Sequence, residues 1–194
     1  MLDHVFTDAI GALRDALEEA LLERMATDEH FQLDVMTGDT TWETSYGLPG
    51  EGTPARVRAD ITLDWSTWSQ SAFRSWLRSE ETDEPPRIEV SVVLRIQELA
   101  ALPRPGDVMD SLPRESAPIG DVRLGRTAPT IETAYTEDLA PTGHAMEFGF
   151  EGAYELDDKT LTDGSQLDDH FAAMGVWIAS MLVRLGDLPL EYRT

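Results

Sequence analysis

The chain has no cysteine and a single lysine, Lys159, beside 14 arginines and 37 acids in 194 residues. Without Cys there is no disulfide framework, no thiolate chemistry and no Cys-based metal site. No stretch approaches the roughly 20 apolar residues that a membrane span needs, and no basic, apolar leader precedes the first periodic segment. The expectation is a soluble, unexported protein without a membrane partner. A formal net charge of −22 disfavours direct nucleic-acid binding, because a phosphate backbone is held by Lys and Arg and here acids outnumber bases more than twofold.

Signatures of chemistry are equally scarce. The glycines of GLPGEGTP (47–54) do not form a dinucleotide fingerprint, and no phosphate-loop lysine follows them. There is no Gly-x-Ser-x-Gly elbow. His4, His30, His144 and His170 lie far apart, without the spacing of a helical metal motif. Asp168 and Asp169, in DDH (168–170), suit the first turn of a helix, where the dipole favours acids. Lys159 lies between Asp158 and Thr160 in a polar turn and reads as an exposed charge, not an amine nucleophile. The expectation is therefore no enzyme, with no catalytic, cofactor or metal residue to name.

What is present is surface charge. At −22 a folded monomer strains against its own repulsion, which concentrated salt removes: the Debye length is about 3 Å at ~1 M. Carboxylates hold water and cations in brine, whereas Lys exposes a long aliphatic stem. The composition resembles that of proteins from extremely halophilic archaea and their viruses. A GC-rich genome accounts for Arg in place of Lys but not for the acid excess, and an acidic mimic of nucleic acid is a further reading.

Periodicity supplies a fold. Leu2, Phe6, Ile10, Leu13, Leu17 and Leu21 recur at helical spacing over 2–25, with Asp15, Glu18, Glu19 and Glu23 off the stripe. Phe31, Leu33 and Val35, a turn at 37–39, and Trp42, Thr44 and Tyr46 form a hairpin pattern. The alternation of ARVRADITLDW (55–65) predicts a strand with Val57, Ala59, Ile61, Leu63 and Trp65 inward and Arg56 and Arg58 outward. A helix over 66–81 follows, with Ser66 as N-cap and Trp68, Ala72, Trp76 and Leu77 on its buried side. Strands are predicted at 87–99, 131–136 and 144–157, and a helix after Ser165, whose spacing to Asp168 suits a capping arrangement. That helix carries Leu167, Phe171, Met174, Ile178, Met181 and Leu185 and stops at Gly186. Residues 100–130, with five Pro and three Gly, read as an extended arm or long loop. The order is that of one α+β domain over 1–194, a mainly antiparallel sheet covered on one face by the N- and C-terminal helices.

Trp65, Trp68 and Trp76 fall on inward phases and read as core, not as a stacking platform. The arginines outside the core pattern, Arg56, Arg58, Arg104, Arg114 and Arg123, are the candidate interface residues, since guanidinium groups suit bidentate interface pairs.

The layout of residues 1–99, with LDHVFTDAIGALRDALEEALL, the GLPGEGTP loop before ARVRADITL, and a second helix against the sheet, resembles tail-terminator and neck proteins of long-tailed viruses. The host would here be a halophilic archaeon. The 100–130 segment and the final helix are elaborations on that layout. The resemblance implies a ring, commonly a hexamer, that caps the tail tube and joins it to the connector. The protein would then be found in the virion, be assembled in a high-salt host cytoplasm, and have itself and neighbouring tail-tube or connector proteins as partners. The alternative is a halophilic cytoplasmic protein that binds a small ligand or peptide between sheet and helix, in a cavity lined by Trp65, Trp76 and Phe148.

Overall fold

A computed structural model describes residues 3–36, 38–48 and 55–193, with the backbone alone for 29–36. The readings made for Leu2, Thr37 and the 49–54 loop, and for the side chains of Phe31, Leu33 and Val35, lie outside the described residues.

The leucine stripe of the N-terminal segment folds as helix α1 (His4–Leu21), burying Phe6, Ala9, Leu13, Leu17 and Leu21. A 3₁₀ turn at Leu22–Arg24 ends it. Strands β1 (Thr27–Met36) and β2 (Asp39–Leu48) form an antiparallel hairpin closing on the pair Met36 and Asp39, with Gly38 at φ +97° in the turn. Next come β3 (Val57–Trp65), helix α2 (Thr67–Leu77), β4 (Arg87–Leu99) and a short α3 (Pro105–Met109). The two-residue β5 (Gly125–Arg126) precedes β6 (Thr130–Tyr135), β7 (Pro141–Glu155), α4 (Asp158–Thr162) and α5 (Gly164–Gly186).

The seven strands make one antiparallel sheet in the order β1-β2-β3-β4-β7-β5, with β6 also paired to β7. The architecture is α+β. Register aligns the inward phases: Ile61 faces Val92 and Thr44, and Val92 faces Phe150. Those residues, with Leu63, Trp65, Leu94 and Phe148, are buried beneath α1 and α5. The two helices run the same way, since Asp8 lies near Asp168, Leu13 meets Gly175, and Arg24 reaches Asp187 at 3.2 Å. They cross closely: a Cβ on Gly175 would lie 2.7 Å from the Leu13 carbonyl oxygen and 3.1 Å from Ala16 Cβ.

The structure adjusts several expectations. Ser66 does cap α2, its side chain accepting from the Ser69 N–H. The buried stripe of that helix, however, is Ser69, Ala72 and Phe73, whereas Trp68 and Leu77 are exposed and Trp76 is half-buried. Phe73 takes the core position because it packs edge-on to Trp65, itself stacked on Phe6, and this leaves Trp68 outside beneath the Arg87 guanidinium. Trp65 and Phe148 are fully packed, so they do not line an open cavity. At the last helix, Asp163 and not Ser165 is the N-cap, its carboxylate accepting from both the N–H and the hydroxyl of Ser165. The polar turn around Lys159 is the short α4, capped by Asp157.

The 100–124 stretch folds back on its own chain. Val108, Leu112, Ile119 and Leu124 join the core beyond β7, and the Arg126 guanidinium donates to the carbonyls of Met109 and Leu112. Leu124 sits over Gly152 of β7, where a Cβ would meet its Cδ2 at 3.0 Å. Pro and Gly here break regular pairing without preventing burial of Val108, Leu112, Ile119 and Leu124 between them.

Two glycines in the helix pair should respond oppositely to alanine. At Gly11 nothing lies within 4 Å of an added Cβ, so Gly11→Ala should add about 0.5–1 kcal/mol through helix propensity. Gly175→Ala should instead cost about 1–2 kcal/mol net, as overpacking outweighs the same gain. Denaturant unfolding in multimolar KCl reads both, and a stabilised Gly175→Ala would show that the helices are not held at this crossing.

Candidate assembly surfaces

Because both long helices lie on one side, the sheet turns its other face outward, and the second phase of each strand populates it. Arg58 bonds Asp60 at 2.6 Å and Arg87 bonds Glu89 at 2.7 Å, each pair on a single strand. Thr41 donates to Asp64 across β2 and β3. At the far side, Arg95 bonds Glu147 and also Glu132, the latter at 2.6 Å. Val93 is half-buried between Asp60 and Gly149. This is a half-wet face of paired charges, with a small pocket of about 150 Å³ at its far side between Arg95, Glu98, Glu132, His144 and Arg193.

The edges differ from the face. On the β1 side, Leu22 and Met25 are 75% and 68% exposed. With Glu18, Ala26, Asp28 and Tyr46 they frame a notch of about 410 Å³. Tyr46 is buried at its floor, and among the described residues its hydroxyl and that of Thr44 have no hydrogen-bond partner but each other. Burial, reinforced by Glu18 and Asp28, pushes the Tyr46 phenol up to about 12, against a smaller opposing pull from Thr44. On the other side, the β6–β7 hairpin carries exposed Ile131 and Tyr135, and its turn holds Leu139 79% exposed at φ 61°. A left-handed leucine in solvent is strained as well as wet.

The five arginines singled out from the sequence do not converge. Arg58 lies on the open face. Arg56 folds round the sheet end to stack on the Tyr192 ring, 4.8 Å from its centroid. Arg104, Arg114 and Arg123 are exposed on the 100–124 segment, where Arg123 donates to the Ser116 carbonyl at 3.0 Å. Sequence reasoning missed the notch. Its one visible sign was Leu22 and Met25, apolar residues continuing past the end of the buried stripe.

One titratable pair faces a polar groove of about 500 Å³ between α5 and the 120–122 turn: the Tyr154 hydroxyl and His170 Nδ1 lie 2.6 Å apart. Burial raises the Tyr154 phenol. The pair ties β7 to α5, and Gly120, at φ +60°, lets the turn approach the imidazole, since an added Cβ would lie 3.0 Å from His170 Cε1. Asp168, on the neighbouring turn, is raised by burial and by Asp8 and Asp169. Lys159 stands at the rim among acids; hydrogen bonds from Thr160 lower Asp157 and hydrogen bonds from Ser165 lower Asp163, with a smaller electrostatic pull from Lys159 on each. His4 stacks edge-on to Phe73, and His144 Nδ1 meets the Thr133 hydroxyl at 2.9 Å. Among the described residues, no three His, Asp or Glu side chains are gathered as a metal would require, and no helix is long and apolar enough to cross a membrane.

The state of Tyr46 is directly measurable. Its folded pKa lies above the value near 10 of an unfolded tyrosine, so the stability it carries is complete below about pH 10 and is lost as pH rises toward about 12. In a tyrosinate absorbance titration, the difference between the native protein and Tyr46→Phe should be a step near the upper value. A step near 10 would place the hydroxyl in water.

No protein-family model, no curated protein and no solved structure matches the chain.

Proposed function

We propose that the protein is a structural, ring-forming component of the head–tail junction of a long-tailed virus of a halophilic host, of the tail-terminator or neck type, working by assembly without chemistry. The observation that carries this reading is the pair of unlike edges on one sheet. The β1 edge offers a notch with exposed Leu22 and Met25, and the β6 edge offers a hairpin with exposed Ile131, Tyr135 and Leu139. Unlike surfaces on opposite sides of a subunit favour head-to-tail contacts, which close into a ring when the rotation between neighbours closes. The apolar residues left in water at each edge are those that such contacts bury.

Charge fits the same reading. A ring lined by carboxylates repels a phosphate backbone and lets DNA pass without sticking. In brine the self-repulsion of subunits at −22 collapses to contact range, so assembly becomes possible where the host lives. Neighbouring tail-tube or connector proteins would meet the ring through its flat faces.

Light scattering coupled to size exclusion in multimolar KCl tests the proposal. A closed oligomer, a hexamer for the family layout, that shifts toward monomer as KCl is diluted is the expected result. A monomer at all salt concentrations, with no association with tail tubes, overturns it.

A further inference from the structure

At one end of the sheet, where β2 stops at Leu48 and β3 begins at Val57, the C-terminus of α5 leaves a hollow of about 230 Å³. Its floor is apolar: Leu48 and Val57 are buried, and Val183 of α5 stands beside them half-buried. Gly186 makes the room. A Cβ there would lie 3.5 Å from Val57 Cγ2 and 3.7 Å from Leu48 Cδ1, ordinary van der Waals contact, so a methyl group at this position would fill part of the hollow without strain. Arg24, Arg56, Asp187 and Tyr192 complete the wall.

Charge separates this hollow from its neighbours. The groove between α1 and α5 is lined by Asp8, Asp15, Glu19, Asp168 and Asp169. The groove beside Tyr154 sets four acids against Lys159, the β1-side notch has Glu18 and Asp28, and the pocket beside Arg95 balances two arginines with two glutamates. Here Arg24 and Arg56 meet Asp187 alone, a balance of one positive charge in a chain of −22. Arg24 is spent on both oxygens of Asp187, at 3.2 and 3.3 Å. Among the described residues the Arg56 side chain has no carboxylate and no hydrogen bond, and its guanidinium lies over the Tyr192 ring. Tyr192 is fixed in turn by its bridge to Leu99 and by the Arg193 N–H, which donates to the Glu98 carbonyl at 2.8 Å. A guanidinium stacked on an aromatic face keeps its N–H edge free for a planar anion. A helix C-terminus by itself opposes an anion. At this one, however, the Val183 and Leu185 carbonyls accept from the Asp187 and Leu188 N–H groups, and Asp187 is neutralised by Arg24.

The geometry points to a small aliphatic monocarboxylate as the ligand of this hollow, with its carboxylate on the N–H edge of Arg56 and its tail along Leu48, Val57 and Val183. The volume lies below the ~300–1,000 Å³ of sites that take drug-sized molecules, which limits the guest to a short chain. Other guests use less of the site. A cation meets the uncancelled charge of Arg56, an inorganic phosphate leaves the apolar floor uncovered, and a neutral hydrocarbon desolvates the guanidinium without answering it. Chloride shares the charge of a carboxylate but has no tail, so burial of the tail carries the selection between them. The Tyr192 hydroxyl is enclosed and takes no part. None of the residues involved lines the β1-side notch or lies on the β6–β7 hairpin, so the inference stands or falls apart from the ring reading.

Hexanoate is the probe, read by amide chemical shifts of the isotope-labelled full chain in multimolar KCl, with thermal midpoints as the check on folding. Saturable shifts at Val57, Val183, Gly186 and Asp187 are expected. Butanoate, two methylenes shorter, should bind about tenfold more weakly. Hexanamide, which keeps the tail without the charge, should bind at least about fivefold more weakly. Arg56→Gln should weaken hexanoate at least about fivefold and leave hexanamide unchanged. Gly186→Ala should hold the midpoint and weaken both ligands at least about tenfold, because the added methyl takes the place of the tail. Absence of saturable shifts at these residues overturns the site. Equal affinity for hexanoate and hexanamide, or for hexanoate and butanoate, overturns the ligand class. Hexanoate binding that survives Gly186→Ala unchanged places the ligand elsewhere and overturns the site as well. Loss of both ligands in Arg56→Gln would assign that arginine to the fold and overturn its role as the carboxylate receptor.

Discussion

The fold depends on the close approach of α1 and α5 at Gly175. With the Leu13 carbonyl oxygen 2.7 Å from where a Cβ would stand, no side chain fits between the helices, and the two run side by side as one layer. That layer covers the inward phase of the sheet from Tyr46 on β2 to Phe150 on β7. A wider crossing would part the helices and open the core along β3, whose Ile61 and Leu63 lie at its centre. Because one layer suffices, no second layer of helices among the described residues covers the other face, and both edges are left to the surroundings. The surfaces proposed for assembly are thus consequences of how the core is closed.

Much of this was legible in the sequence because burial imposes a period. The alternation of β3, β4 and β7 and the stripes of α1 and α5 were visible, since in each the apolar residues obey one periodicity for nine residues or more. Trp68 was misplaced because α2 is short and aromatic on several sides. Helical spacing permitted either Trp68 or Phe73 to lead the stripe, and the ring contacts of Trp65 with Phe6 and Phe73 decide between them. The 100–124 segment was read as an arm because its buried residues, Val108, Leu112, Ile119 and Leu124, follow no period. They are inserted singly between turns, and burial of that kind has no one-dimensional signature. The notch was hidden for a different reason. Its floor is Tyr46, which lies on the inward phase of a strand and looks like an ordinary core residue.

Salt separates the forces at work between subunits by range. Repulsion between two bodies of charge −22 acts over many ångströms and is the part that a short Debye length removes. A guanidinium held against a carboxylate at a subunit boundary is partly desolvated, and screening reaches it less. Concentrated salt therefore weakens the long-range barrier to approach more than it weakens a contact of arginine type. The same argument bears on the lysine shortage. A contact that must survive in brine benefits from a planar, weakly hydrated cation that binds in a fixed geometry, which describes arginine and not lysine. The single lysine accordingly lies at a groove rim beside Asp157 and Asp163, acids held down chiefly by hydrogen bonds from Thr160 and Ser165 and only secondarily by its point charge. The near-neutral segment beyond β7 carries arginine alone as its cation.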